Sequence, residues 1–235
     1  MDANDKINLI EEFSKLKNSH VIVLTTFNFD PFFFDGYILP VLEKYNRSAQ
    51  IIVLVDEGQY NLAYPRFTNR TGIDYHLIPI RLNGGVFHPK FFLFTSKDKI
   101  TTFVGSSNLS LQGFTNNAEL VIKTQTKLEE GISIETKSII DVLNGLVSKK
   151  LIHDNHILEL ISRISENFGS KTVISSPNFE ILHNLETPII SQMLTKISEK
   201  TFDKLFVLAP FFSTDGKPLS EILSTLKIKN IEFGL

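Results

Sequence analysis

His20-Val21-Ile22-Val23-Leu24-Thr25-Thr26-Phe27 is a short run of apolar and β-branched residues with no polar alternation. Such a run predicts a strand buried on both faces. Gln50–Val55 (QIIVLV) repeats the pattern, and Asp56-Glu57-Gly58 closes it. Between them, residues from Asp35 to Tyr45 can form a helix with Ile38, Leu39, Val41 and Leu42 inward. Two continuous apolar strands separated by a helix predict a parallel pair in an α/β sheet covered by helices. Upstream, Ile7, Ile10, Phe13 and Leu16 recur at helical spacing and predict an amphipathic opening helix.

Working outward, residues 74–80 and 86–94 read as further strands around a turn at Asn83-Gly84-Gly85. Residues 100–104 follow, then a loop at Gly105-Ser106-Ser107-Asn108, then a strand over residues 119–123. Residues 128–164 read as mainly helical, with Gly131 and Gly145 arguing against an unbroken helix. Residues 205–212 (LFVLAPFF) resemble the first strand in type. Leu219, Ile222, Leu223 and Leu226 then suggest a helix, and residues 230–235 (NIEFGL) a strand. The predicted organisation is an α/β domain with a mixed sheet between helices over residues 1–125. A mainly helical connection follows over 126–200, and the incomplete start of a second, similar half over 201–235.

Composition narrows the functional classes. The 235 residues include 42% hydrophobic and 21% charged side chains, enough for a packed core. Phe occurs 20 times and Trp not at all, so most Phe side chains are expected in the core. With no Cys, disulfides and thiolate metal sites are excluded. A polar N-terminus and the lack of a bilayer-length apolar run predict a cytoplasmic protein without membrane partners. A net charge of −2 does not advertise nucleic-acid binding, although a local basic groove suffices for it.

The chemistry concentrates between residues 88 and 119. On the strand predicted over 86–94, His88 and Lys90 share one face. Burying both beside Phe91 and Phe92 is costly without a purpose. An imidazole can attack phosphorus or shuttle a proton, and an ammonium can neutralise phosphoryl oxygens. The small residues Gly105, Ser106 and Ser107 allow backbone N–H groups to approach an anion, and the Asn108 amide adds an uncharged donor. Glu119 can orient a Lys or His. The remaining histidines (His20, His76, His153, His156, His183) are read as structural. His153 and His156 have metal-pair spacing without a third ligand. The Phe32-Phe33-Phe34 run is read as core or loop anchor in preference to a base-stacking platform, and Lys149-Lys150 as a solvated helix end.

His88-Pro89-Lys90, then Gly105-Ser106-Ser107-Asn108, then Glu119 resembles the phospholipase D superfamily, whose hallmark is His-x-Lys followed by Gly-Ser-x-Asn. The resemblance covers roughly residues 21–123. Many members carry Asp five residues after the Lys, where this chain has Thr95. The His-x-Lys, Asn, Glu variant resembles the nuclease branch that includes metal-independent restriction endonucleases. The resemblance implies a phosphodiesterase using two histidines, one forming a phosphohistidine and one protonating the leaving oxygen, with no metal or cofactor. His88, Lys90, Asn108 and Glu119 are then catalytic, and Gly105, Ser106 and Ser107 line the substrate. It implies nucleic acid as partner, DNA favoured, in a setting such as bacterial restriction or antiphage defence. The second half-site would come from a further C-terminal part of the chain or from a homodimer partner. A lipid phosphodiesterase or phosphatidyltransferase, and a non-catalytic nucleic-acid-binding or assembly module, are the alternatives.

Overall fold

The first strand, β1 (Val21–Thr26), pairs in parallel with β2 (Gln50–Asp56), Leu24 opposite Val53. Its other edge pairs antiparallel with β4 (Phe91–Thr95), Leu24 opposite Phe92. With β3 (His76–Ile80), β5 (Lys99–Gly105) and β6 (Val121–Lys127) they form a six-stranded mixed sheet in the order β3-β2-β1-β4-β5-β6. The computed structural model describes residues 7–174, 181–208 and 215–234. The chain divides into two units, Met1–Glu180 and Ile181–Leu235.

Alternation along each strand gives the sheet two buried faces. Ile22, Leu24, Ile51, Val53, Val55, Phe92, Phe94 and Phe103 share one core with α1 (Leu9–Lys15) and the helical segment after β1. That segment comprises α2 (Pro31–Phe33), a π-helical turn (Phe34–Ile38) and α3 (Leu39–Tyr45). The predicted helix over 35–45 is therefore interrupted by a wide turn, ahead of Pro40, which lacks the N–H of a regular ladder. Asp30 starts the segment, accepting from the Phe32 and Phe33 N–H groups. Phe13 is fully buried, its ring 5.1–6.1 Å from those of Phe92, Phe94, Phe103 and Phe114. The opening helix turns Leu9, Phe13 and Leu16 inward, and Ile7 is exposed rather than part of the stripe.

On the opposite face Val23, Ile52, Leu54 and Leu93 are fully buried. After α4 (Glu57–Ala63), the helices serving this face are α5 (Ile134–Ser148) and α6 (Asn155–Gly169). Their inward stripes include Ile139, Ile140 and Leu143, and Ile157, Leu160, Ile161 and Ile164. His156 of α6 contacts the sheet, its Nε2 3.4 Å from Gln50 Oε1 and its ring 5.2 Å from that of His76. The helical stretch predicted from residue 128 begins instead at Ile134, capped by the Ser133 hydroxyl. Before it, β7 (Ile132–Ser133) pairs with β8 (Val173–Ile174). Gly131 makes that pairing possible: its φ is +116°, and a Cβ there would lie 2.4 Å from the Thr172 carbonyl oxygen.

The second unit contains α7 (Ile189–Lys196), β9 (Thr201–Leu208), α8 (Lys217–Thr225) and β10 (Lys227–Gly234). β9 and β10 are parallel, Leu205 opposite Ile231, the same strand–helix–strand order that opens the chain. Residues 209–212 and 235 of the predicted strands lie outside the described residues.

Candidate active site

The C-terminal ends of β1, β2 and β5 and the N-terminal ends of β4 and β6 meet at one edge of the sheet. All four proposed catalytic residues sit there, in the segments that enter or leave these strands. His88 and Lys90 do not lie on the ladder, which starts at Phe91. Pro89 has no N–H to offer a neighbouring strand, and the Phe87 N–H donates at 2.9 Å to the Asp56 carboxylate. The Thr25 hydroxyl then fixes where β4 begins, accepting from the Phe91 N–H at 2.8 Å. The result is an extended lead-in held at both ends, with Phe87 buried beneath it and His88 exposed above.

Lys90 Nζ lies 3.3 Å from His88 Nδ1 and 3.2 Å from Nε2, nearly equidistant from the two ring nitrogens. The Phe27 ring supports the imidazole at 4.6 Å in an edge-on arrangement. Burial, then the Lys90 ammonium, hold the His88 pKa below its ordinary value, and Asp56 opposes them. Burial lowers the Lys90 pKa as well, opposed by the charge of Glu119. A cation beside a partly desolvated imidazole favours its neutral form, the form with a free electron pair for phosphorus.

Asn108 is oriented by the end of β1. Its Oδ1 accepts from the Asn28 N–H at 3.1 Å and the Phe27 N–H at 3.3 Å, with the Thr26 hydroxyl at 3.4 Å. Two backbone donors on one amide oxygen settle which end of the amide is which. Among the described residues Nδ2 makes no hydrogen bond, so the donor end is left for a ligand.

Gly105 and Ser106 are tied to the sheet. The Gly105 N–H donates to the Lys90 carbonyl and the Ser106 N–H to the Leu120 carbonyl, both at 3.0 Å. The Ser106 hydroxyl accepts from the Leu120 N–H at 3.0 Å. These two N–H groups therefore do not form the anion-binding nest expected of the loop. They fix the segments carrying Lys90 and Glu119. Gly105 is required for this: a Cβ would meet the Leu120 carbonyl oxygen at 2.2 Å. Ser107 is buried, and its hydroxyl has no hydrogen-bond partner among the described residues. The strand predicted over 119–123 begins at Val121, so Glu119 precedes it. Its carboxylate accepts from Asn117 Nδ2 at 3.1 Å. Among the described residues Glu119 makes no ion pair with Lys90, and its influence there is through space.

Sequence reasoning missed Asp56, Thr25, Phe27 and Asn117. Asp56 was visible only as a strand-closing acid. Its bond to Phe87 spans 31 positions, a separation no local pattern reports. Thr95, where many superfamily members carry Asp, lies at the far end of β4, its hydroxyl donating to the Val21 carbonyl at 3.0 Å. This departure stitches β4 to β1 and leaves the site edge untouched. Among the described residues no three His, Asp or Glu side chains converge as a metal site.

No curated protein matches the chain. Among solved structures it is similar to the polyphosphate kinase of Porphyromonas gingivalis, at 13% identity and a TM-score of 0.42. That alignment covers 97% of this chain, which spans only 35% of the kinase's length. The family model described as cardiolipin synthase, PLD-like domain, matches residues 9–141, from α1 into α5 and through every motif residue. With more than half of the chain so matched, this protein belongs to the phospholipase D-like family, a superfamily of phosphodiesterase and phosphoryl-transfer chemistry.

Proposed function

We propose that the chain supplies one half of a metal-independent phosphodiesterase site that cleaves nucleic acid, DNA in preference to other substrates. The observation that carries this reading is the His88–Lys90 pair, an imidazole with an ammonium 3.2–3.3 Å away on an exposed edge, its pKa lowered by burial and then by that ammonium. An imidazole nitrogen of His88 attacks phosphorus. The bond to the leaving oxygen breaks, and that oxygen departs with the electron pair. Lys90 and Asn108 Nδ2 neutralise the charge gathering on the other phosphoryl oxygens. Glu119 steadies the charge of Lys90. A second histidine protonates the leaving oxygen, and water then releases phosphate from His88.

One imidazole cannot hold phosphorus and act as that acid, and this sequence holds a single His-x-Lys motif. We therefore propose that the second histidine comes from further chain or from a partner copy. The strand–helix–strand order of the second unit favours the first source. An open edge with the exposed aromatic Phe32, on the segment leading from β1, suits a nucleic-acid strand. Restriction or antiphage defence is the setting this chemistry fits best.

A second reading has its own observation. Val86, Leu111 and Leu120 flank the motif residues and are 55%, 45% and 63% exposed. An apolar collar of this kind suits the acyl chains of a phospholipid. Cleavage of plasmid and oligonucleotide DNA, set against phosphatidylglycerol vesicles, all in EDTA, separates the readings. DNA cleavage is expected where a second histidine completes the site, as is its abolition in folded His88→Ala. Vesicle turnover without DNA cleavage favours the lipid, and activity lost in EDTA and restored by Mg²⁺ contradicts the mechanism.

A further inference from the structure

At the end of the sheet away from His88, the β4–β5 turn, the end of β6 and the C-terminal turn of α6 enclose two clefts of about 630 Å³ each. They share Lys97, Leu128 and Lys171, and so form one continuous groove. Lys97, Lys99, Lys127 and Lys171 line its first part. Among the described residues none of these four makes an ion pair. Two acids share that part: Asp98 accepts from the Ser96 hydroxyl at 2.8 Å and feels the charge of Lys99, and among the described residues Glu129 makes no ion pair. The second part has a different character. Gln50, whose Oε1 lies 3.4 Å from His156 Nε2, and Asn167 line it together with Leu160 and Ile164, and Arg163 is engaged with Glu159 at 2.6 Å.

Four ammonium groups facing two carboxylates leave a net positive charge and a net repulsion in one concavity, in a chain whose net charge is −2. Their mutual cost falls when an anion with several spaced charges enters. A lipid surface cannot follow the protein into a groove, whereas a flexible strand can. Its phosphates would meet the lysines and a base would meet the amides over the apolar floor. We propose that this groove is a second, non-catalytic binding site for the phosphodiester backbone of a single nucleic-acid strand, held while another part of the same strand occupies the His88 edge.

This inference rests on the nucleic-acid reading of the His88 site. The separation of the two sites sets its signature. β5 runs the whole way, from Lys99 beside the groove to Gly105 beside Lys90. Six strand steps amount to roughly 20 Å. A strand that keeps the stacked rise of about 3.4 Å per nucleotide bridges it with some six nucleotides, and with more along a curved path.

The test uses the full chain and fluorescein-labelled oligo(dT) of 4 and 20 nucleotides, with binding read by anisotropy across a salt series. The wild type is expected to bind the 20-mer at least about tenfold more tightly than the 4-mer. In Lys97→Ala/Lys127→Ala/Lys171→Ala that advantage disappears, and the salt slope for the 20-mer falls by about 2. Affinity for the 4-mer and hydrolysis of bis(p-nitrophenyl) phosphate stay unchanged, and the triple Lys→Arg variant regains the 20-mer advantage. A triple Ala variant that keeps the length advantage and salt slope overturns the groove and leaves the nucleic-acid reading standing. A wild type that binds neither oligonucleotide overturns both. Loss of binding to phosphatidylserine vesicles, with 20-mer binding intact, overturns the groove's assignment in favour of a lipid surface.

Discussion

The proposed mechanism gives Asn108 two jobs, one for each end of its amide, and a pair of substitutions separates them. Its Oδ1 accepts from the Phe27 and Asn28 N–H groups, which close the end of β1. Its Nδ2 makes no hydrogen bond among the described residues and is the donor proposed for a phosphoryl oxygen. Asn108→Asp keeps the acceptor, and a carboxylate receives backbone N–H groups at least as well as an amide does. Stability should therefore stay within about 0.5 kcal/mol of the wild type. The donor becomes an anion facing an anionic substrate, and losing one such donor costs about 10²–10³ in turnover. Asn108→Ala loses both functions. Leaving the partly buried Phe27 N–H unmatched costs about 1–3 kcal/mol, or roughly 2–12 °C in Tm at this chain length. The assay is thermal unfolding by circular dichroism beside hydrolysis of bis(p-nitrophenyl) phosphate. An Asn108→Asp protein with wild-type stability and near-wild-type turnover would refute the role given to Nδ2. Equal destabilisation of both variants would refute the role given to Oδ1.

His88 must be neutral to attack, so kcat/KM should rise with pH through its depressed pKa, placing the acid limb below about 6.5. Lys90→Met removes one cause of that depression, and histidine NMR titration should show the His88 pKa higher; an unchanged or lower value contradicts the electrostatic account. His76, whose pKa is lowered by burial and then by His156, binds protons less readily folded than unfolded, so stability should fall as pH drops from about 6.5 through its folded pKa. Replacing His76 with Gln should flatten that dependence in urea titrations at pH 5 and pH 7. Gly105→Ala must push the Leu120 backbone away, costing about 1–3 kcal/mol and reducing turnover as Glu119 shifts; a variant matching the wild type in both would refute the close approach. Phe13→Ala empties the centre of four rings and should cost about 3–5 kcal/mol in denaturant unfolding, a smaller loss indicating that the cluster refills the space.

The sheet's parallel centre was legible because β1 and β2 are uninterrupted apolar runs, the mark of burial on both faces. Strand order was not, since pairing β4 beside β1 depends on contacts such as Thr25 with Phe91, 66 positions apart. The motif residues were readable as a set because their types and order are distinctive. Their placement was less so. Alternation put His88 and Lys90 on a strand, yet Pro89 and the Asp56–Phe87 bond hold them just outside it. Small residues in the 105–107 loop suggested an anion nest, whereas the sheet takes the N–H groups of Gly105 and Ser106. Composition could not show the lysine groove either, because its members come from a turn, a strand end and a helix end that meet only after folding.

The central claim is that His88 attacks phosphorus without a metal. Bis(p-nitrophenyl) phosphate isolates that step, because p-nitrophenolate leaves without needing an acid and therefore without the second histidine. The full chain, incubated with this ester in EDTA, quenched and digested, is read by tandem mass spectrometry alongside His88→Ala. We expect a nitrophenyl-phosphoryl adduct on His88, formed as one equivalent of p-nitrophenolate is released, and neither adduct nor release from the folded variant. Release that continues in His88→Ala, or that in the wild type occurs only with added divalent metal, would contradict the account.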